Sequence, residues 1–162
     1  MNETAFLIKE LETGDSFSEL LELSKDFFYE YENNNKDFFE IESIDEVDIR
    51  NYFKEFIGNE NAKAYIVMTG EKIIGYITLV IKNQPNYWKI KRTGDISGLM
   101  VSKNFRHNGI GTKLIMKGIE YFKRKDIKYY TVFTSVNNTG GISLYKKCGF
   151  EQLYTTLYGR IE

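Results

Sequence analysis

Apolar residues in the N-terminal part of the chain recur every three or four positions, the spacing of one face of a helix. The pattern covers residues 17–31 and 47–57 and predicts two amphipathic helices. Gly14-Asp15-Ser16 offers a cap for the first helix, and the capping-box spacing of Ser43 and Glu46 predicts the start of the second. The aromatic rings of these helices fit core packing against a sheet better than a pocket wall; they are Phe27, Phe28, Tyr31, Tyr52 and Phe53.

Strand-like runs rich in β-branched residues alternate with turn residues over the next part of the chain. The predicted strands are Thr4–Leu11, Ala62–Thr69, Lys72–Lys82 and Asp95–Val101. Gly70-Glu71 joins the second and third strands as a hairpin. Residues 83–93 hold the only Pro and the only Trp, and we interpret them as a loop or a ragged hairpin tip without evident chemistry. Residues 62–101 are therefore expected to form an antiparallel meander.

The last third of the chain predicts two more helices. One begins at Gly109 and continues to about Lys125, and a short one spans Gly140–Lys147. Lys128–Val136 between them predicts a strand, and Phe150–Ile161 predicts one or two final strands. Because a crossover helix returns the chain in the same direction, the strands on either side of the first helix are expected to run parallel.

Composition restricts the class of protein further. The 162 residues, 42% hydrophobic and 28% charged, fit one soluble globular domain covering residues 1–162. A single Cys rules out an internal disulfide, and with no apolar run of membrane-spanning length we expect a cytoplasmic protein without a membrane partner. The single His argues against a His-rich metal site, and no metal is expected.

Charge is distributed unevenly although the net charge is only −1. Residues 1–60 hold 17 acidic and 5 basic side chains, whereas residues 61–162 hold 6 and 17. The two halves can simply attract each other across the fold. Alternatively, the basic half meets a polyanionic ligand and the acidic half meets a cationic one.

The stretch from Asp95 to Lys125 reads as strand, turn and helix, and it is a candidate anion site. The first N–H groups of a helix lack intrahelical partners and lie at the positive end of its dipole. Gly109 and Gly111 allow a phosphate close to the backbone, and Arg106 adds a planar set of donors. The Arg-x-x-Gly-x-Gly spacing matches neither a dinucleotide-binding fingerprint nor a P-loop, so the ligand is expected to be a different phosphate.

Two segments resemble the GNAT superfamily of N-acyltransferases: Arg106-x-x-Gly109-x-Gly111, and the run from Asn138 through Tyr145 to Gly149-Phe150. The resemblance implies an α/β (α+β) fold with a mixed, mostly antiparallel sheet, one splayed parallel strand pair and flanking helices. It also implies acetyl-CoA as cosubstrate. The implied cofactor-binding residues are Leu99, Met100, Val101, Arg106, His107, Asn108, Gly109, Ile110, Gly111, Thr112 and Asn138.

The resemblance also suggests catalytic residues, each with an alternative. Gly98 lies inside a strand, where it either marks a bulge that aims backbone N–H groups at the thioester or accommodates a neighbouring helix. Asp95 is a candidate general base or a turn residue. Tyr145 is a candidate general acid or a core ring. Asn138 fits a pantetheine contact, a helix cap, or both.

These features favour an N-acetyltransferase that acts on a primary amine, expected to be a cationic small molecule or peptide. Cys148 fits packing better than catalysis, which favours direct attack in a ternary complex over a ping-pong route. The alternative is a non-catalytic acyl-CoA-binding sensor or regulatory module. A nucleic-acid partner is not expected, and an edge strand near the C-terminus makes a homodimer a further possibility.

Overall fold

The β-branched runs form a five-stranded sheet in the order β1-β2-β3-β4-β5 in this computed structural model, which describes residues 6–161. The strands are β1 Leu7–Glu10, β2 Ala62–Thr69, β3 Lys72–Asn83, β4 Arg92–Val101 and β5 Tyr130–Val132. The first four pair antiparallel and β5 runs parallel to β4. The predicted meander and parallel pair are confirmed. Thr4 and Ala5 of the predicted first strand lie outside the described residues.

Within residues 6–161 the α-helices are α1 Phe17–Asn34, α2 Glu46–Lys54, α3 Ile110–Arg124 and α4 Thr139–Lys147. Ser16 caps α1 as predicted, since its hydroxyl accepts from the N–H of Glu19. The predicted start of α2 at Ser43 is wrong. Asp45 takes the cap because its carboxylate accepts the N–H of Asp48 at 2.8 Å.

The two faces of the sheet bury different cores. On one face α1 and α2 pack Leu20 and Phe53 against Ile66. On the other face α3 packs Leu114 and Phe122 against the sheet. Both cores contain fully buried side chains. The sheet is therefore packed tightly between two layers, which fixes the positions of its strand ends.

Two predicted strands are shorter than expected or absent. Lys128–Val136 forms a strand only over Tyr130–Val132, because the chain beyond it turns away from β4 and the Asn138 N–H donates to Ser135 O. The predicted strands in Phe150–Ile161 are wrong: residues 151–161 form no strand and are exposed. An apolar run without a hydrogen-bonding strand beside it does not form a stable strand. Within residues 6–161, no helix combines the length and apolarity needed to cross a bilayer.

Candidate functional site

A bulge interrupts β4 next to its end. Thr78 pairs with Gly98 and Leu79 pairs with Ile96, so Ser97 is an extra residue without a partner on β3. A Cβ at Gly98 would lie 2.8 Å from Thr78 Oγ1, which explains why glycine occupies this position. The predicted bulge is confirmed.

Beyond the bulge, β4 and β5 diverge. Their parallel pairing ends at Ile96 and Val132, so the β4 edge over residues 99–101 has no strand beside it on that side. A cleft of about 670 Å³ fills the gap. Residues from α1, β4, β5, the loop before α3, and α4 line it. A cleft bordered by an unpaired strand edge presents backbone donors and acceptors to a ligand that carries amides.

The N-terminus of α3 opens into this cleft, which Gly109, Ile110, Gly111 and Thr112 all line. Gly109 caps the helix in the left-handed conformation, with φ of 75°. The first N–H groups of α3 have no acceptor within the helix, a geometry that fits the anion site predicted there. His107, at φ 64°, is another left-handed residue of this loop and also lines the cleft. Asn108 does not line it.

The side chain of Asn108 shapes the loop instead. Its amide donates to the carbonyl oxygens of Phe105 and Arg106 at 3.3 and 3.1 Å. Arg106 lines the cleft, but its Nε and Nη2 are engaged within the protein. Its Nε donates to Val101 O at 2.8 Å and its Nη2 to the Glu30 carboxylate at 2.8 Å. In this structure the guanidinium therefore joins α1 to the end of β4.

The two motif glycines serve different purposes. A Cβ at Gly109 would meet nothing within 4 Å, so only its positive φ demands glycine. A Cβ at Gly111 would lie 2.9 Å from Leu144 Cδ2 of α4. Gly111 thus allows close packing of α3 against α4, a role that the motif alone does not indicate.

Tyr145 of α4 lines the cleft, and its ring centroid lies 5.5 Å from that of Phe150. Burial, with a smaller contribution from nearby Tyr31, raises the pKa of the Tyr145 hydroxyl to about 12. The phenol is therefore neutral across the physiological range, which is the state required of a hydrogen-bond donor.

Asn138 lines the cleft and caps α4. Its Oδ1 accepts from the N–H of Gly141 at 3.0 Å, and its Nδ2 donates to Thr134 Oγ1 at 3.0 Å. The predicted capping role is confirmed. Through Thr134, the same side chain also fixes the segment that follows β5.

Asp95 is not brought into the cleft lining. Its carboxylate forms an ion pair with Lys82 at 2.9 Å and accepts from Thr131 Oγ1 at 3.1 Å. It thus joins β3, β4 and β5 beside the start of the splay. Tyr52, on the same face of the sheet, hydrogen-bonds to buried Thr78 at 2.9 Å.

Sequence reasoning missed the contribution of α1 to the cleft. Phe27, Glu30, Tyr31 and Asn34 line it, although Phe27 and Tyr31 fit the pattern of core residues better. Glu30 and Asn34 interrupt that apolar face at helical spacing, and this polar break is the sequence feature that distinguishes a cleft wall from a core. Phe133, 58% exposed at the end of β5, faces Tyr31 with ring centroids 6.4 Å apart.

The thiol of Cys148 lies apart from this site. Cys148 is not among the lining residues, and burial raises the pKa of its thiol, partly offset by a hydrogen bond with Thr112. A thiol with a raised pKa is a poor nucleophile at neutral pH. Within residues 6–161, no group of three or more His, Cys, Asp or Glu side chains is arranged to hold a metal ion.

Comparison with known proteins agrees with this geometry. Residues 18–150 match the model of the Acetyltransferase (GNAT) family. An uncharacterised N-acetyltransferase, MJ1207 of Methanocaldococcus jannaschii, is 29% identical over 86% of this chain and 58% of its own length. Human N-alpha-acetyltransferase 30 is 31% identical over 60% of this chain and 26% of its own length. The chain thus spans only part of the length of these relatives.

Solved structures share the fold at low sequence identity. A mutant of the BH1408 protein from Bacillus halodurans superposes with a TM-score of 0.84 at 19% identity, over 96% of this chain and 99% of that one. Aminoglycoside N-acetyltransferase AAC(6')-Iy in complex with CoA superposes with a TM-score of 0.77 at 16% identity, over 97% and 95%. The family match covers both motifs and most of the fold, and this chain belongs to the GNAT acetyltransferase family.

Proposed function

We propose that this chain transfers the acetyl group of acetyl-CoA to a primary amine by direct attack in a ternary complex. The observation that carries the proposal is the cleft in which the unpaired edge of β4, the N-terminus of α3 and Tyr145 face one space. Each of the three supplies a different requirement of the reaction. The sequence relatives carry the name N-acetyltransferase, which supports the same activity.

The cleft residues suit the two ends of the cosubstrate. The N–H groups at the start of α3, at Ile110, Gly111 and Thr112, would hold the pyrophosphate, aided by the helix dipole. The backbone of residues 99–101 would pair with the amides of the pantetheine arm, as a neighbouring strand would. We assign Arg106, which holds the Val101 carbonyl, and Asn108, which holds the loop, to shaping this site.

The chain's own groups act at three points of the transfer. Bound acetyl-CoA supplies a thioester whose carbon accepts the amine nitrogen as its C–S bond breaks. Backbone N–H groups of residues 99–101 donate to the carbonyl oxygen as negative charge develops there. The Tyr145 hydroxyl donates a hydrogen bond that strengthens as negative charge reaches the departing sulfur; because its pKa is raised to about 12, above the roughly 8.5 of a thiol, the proton stays on the phenol and water protonates the released thiolate.

The amine must lose a proton before it attacks. Asp95 is the sequence-based candidate for the base, but its carboxylate is engaged with Lys82 and Thr131 outside the cleft lining. This geometry supports proton loss to water in the open cleft over direct transfer to Asp95. A dedicated base is not needed where the solution pH is near the pKa of the amine, because a large fraction of the amine is then already neutral.

The acceptor is proposed to be a cationic amine. Glu30 lines the cleft, where it is paired with Arg106 and Lys103, and residues 31–46 that follow it carry six more acidic side chains against one lysine. Tyr31 and Phe133 add aromatic faces beside this acidic rim, and such faces attract ammonium groups. Polyamines, aminoglycosides and peptides with a free amine all satisfy these requirements.

The test is thiol release from acetyl-CoA by purified protein with a panel of those three amine classes and a neutral amine. We expect turnover that prefers the cations and weakens with added salt, together with a thermal shift caused by CoA alone. CoA binding without turnover of any amine would instead support a non-catalytic acyl-CoA sensor. Absence of both CoA binding and turnover would overturn the proposal.

A further inference from the structure

The hairpin tip between β3 and β4, residues 84–91, presents apolar side chains to solvent. Tyr87 is 83% exposed, Trp88 52% and Ile90 39%. The tip is nevertheless ordered by its own hydrogen bonds: the Trp88 N–H donates to Pro85 O at 3.0 Å and the Gln84 N–H to Lys91 O at 2.8 Å. A rigid turn therefore holds two aromatic rings and an aliphatic side chain away from the core.

Basic residues lie in this hairpin and in the segment that contacts the start of β4. The hairpin contributes Lys82, Lys89, Lys91 and Arg92, and the end of α3 with the following loop contributes Lys123, Arg124, Lys125 and Lys128. The two groups meet because the Gly94 N–H donates to Tyr129 O at 2.9 Å and β5 begins beside β4. Among the described ion pairs, only Lys82 of these eight has a carboxylate partner, Asp95. We name the tip and these eight residues the basic pole.

The basic pole lies at the start of β4, and the cleft borders the same strand from Ile96 to its end. β4 runs from Arg92 at the pole to Val101 at the cleft, about 30 Å at 3.3 Å per residue. Segment 30–46, which carries seven acidic side chains, begins at Glu30 in the cleft lining. The unpaired cations of the pole are therefore separated from this acidic segment, and an anionic surface would attract the pole.

We propose that the basic pole docks peripherally on an anionic phospholipid surface, with Tyr87 and Trp88 at the level of the headgroups. Trp and Tyr favour the membrane interface, and lysines nearby supply attraction to anionic lipids. No membrane-spanning run is required for such contact, so the sequence-based expectation of no membrane partner does not apply to it. The acidic rim would keep the cleft turned towards the solution.

Two details favour a membrane over a nucleic acid. Nucleic-acid bases are commonly read by arginine side chains that donate two hydrogen bonds to one base. Here Arg92 already donates to Asn61 Oδ1 and Arg124 to Tyr65 Oη, both at 3.1 Å. The remaining cations are lysines, which act as point charges and suit a diffuse anionic surface. Ile90 offers no face for base stacking but suits the boundary of the acyl chains.

Trp88 is the only tryptophan, so its fluorescence reports on the tip directly. The experiment adds the full chain to vesicles of phosphatidylcholine with about 30% phosphatidylserine, with pure phosphatidylcholine as the reference. We expect a blue shift of Trp88 emission, quenching by brominated acyl chains, and co-sedimentation that salt abolishes. No shift and no co-sedimentation at low salt would overturn the proposal.

Matched variants test the residues. Lys89→Gln with Lys128→Gln is expected to weaken vesicle binding about thirtyfold, at the usual contribution of a surface lysine. Lys36→Gln with Lys72→Gln removes the same charge near the cleft end and is expected to leave vesicle binding unchanged. Tyr87→Ser with Trp88→Ser, followed by co-sedimentation, is expected to lose binding while CoA binding and melting temperature stay unchanged. Equal loss in both lysine pairs would contradict a defined pole.

Other partners give distinguishable results. Quenching of Trp88 by single-stranded polyuridylate, tighter than any response to vesicles, would overturn the proposal in favour of a nucleic acid. Self-association in lipid-free buffer that the Tyr87→Ser and Trp88→Ser changes abolish, without vesicle binding, would overturn it in favour of a second copy of the chain. The result does not depend on acetyl transfer, which is assayed separately.

Discussion

Arg106 Nη2 donates to Glu30 Oε1 at 2.8 Å, and this contact joins the loop before α3 to helix α1. The same guanidinium holds Val101 O through Nε. The side that would bind the cosubstrate and the side that would bind the amine are therefore connected through one side chain. Both partners are only partly exposed, so solvent weakens the pair without removing it.

A double-mutant cycle tests that connection. Glu30→Gln and Arg106→Gln are each expected to lower the free energy of unfolding, Arg106→Gln by about 1–2 kcal/mol because it also loses the hydrogen bond to Val101 O. The two losses should not add, with a coupling of about 0.5–1 kcal/mol in urea unfolding. Glu22→Gln, in an exposed pair with Lys25, is the control and should show no coupling to Arg106. Additive losses would contradict the connection.

Tyr145→Phe tests the proposed hydrogen-bond donor. Removing the hydroxyl while keeping the ring on Phe150 should lower kcat by about 10²–10⁴ and leave CoA affinity within about twofold. Tyr154→Phe, a change at an exposed tyrosine, should leave kcat unchanged. Because the Tyr145 pKa is about 12, wild-type kcat should not fall between pH 8 and 10 through loss of this proton. Wild-type kcat retained in Tyr145→Phe would rule out the role.

The same pKa predicts how stability changes in alkali. Below pH 10 Tyr145 is protonated in both folded and unfolded chains, so stability is unaffected. Between pH 10 and about 12 the unfolded chain loses the proton first, so stability falls, by at most about 2.7 kcal/mol for two pKa units. Urea unfolding at pH 9, 10 and 11 should show a shallower decline for Tyr145→Phe. Buried Tyr76, whose pKa is also raised, would maintain part of the decline.

Much of this site could be predicted because it is local in sequence. The cap at Asn138, the bulge at Gly98 and the start of α3 each depend on neighbours within a few residues along the chain or on one adjacent strand. Local patterns of this kind carry over into structure because backbone geometry and capping decide them. The parallel pair was likewise predictable from the crossover rule.

What could not be predicted depends on contacts between distant segments. Glu30 and Arg106 are 76 positions apart, and no local pattern in either segment predicts their contact. Gly111 meets Leu144 only after α4 packs on α3. The C-terminal run fails as a strand for the same reason, since its apolar pattern is suitable but β5 is only three residues long. Tertiary context outweighs local propensity in each case.

The two motif glycines should respond differently to alanine. Gly109→Ala forces a side chain into the left-handed region, costing about 1–2 kcal/mol in the free energy of unfolding, and should weaken CoA binding by reshaping the start of α3. Gly111→Ala places a methyl against Leu144 and should destabilise unless that side chain moves. Pairing Gly111→Ala with Leu144→Ala should relieve the clash but should not restore the packing that the Leu144 side chain provided. Urea unfolding and CoA calorimetry on each variant separate the two roles.

Asp95→Asn decides whether this carboxylate is a base or a link between strands. The structure engages both carboxylate oxygens, with Lys82 and with Thr131, away from the cleft lining. We therefore expect kcat within about threefold of wild type and a loss of about 1 kcal/mol in the free energy of unfolding, because an amide keeps one hydrogen bond but not the ion pair.

Lys82→Gln is the matched control, since it breaks the same ion pair from the exposed side and should reproduce most of the stability loss. A general base would behave differently. If Asp95 were the base, Asp95→Asn alone would lower kcat by at least about a hundredfold and would remove the acid limb of the pH profile. That result would mean that the carboxylate leaves Lys82 and Thr131 when the amine binds, because in this structure neither oxygen faces the cleft.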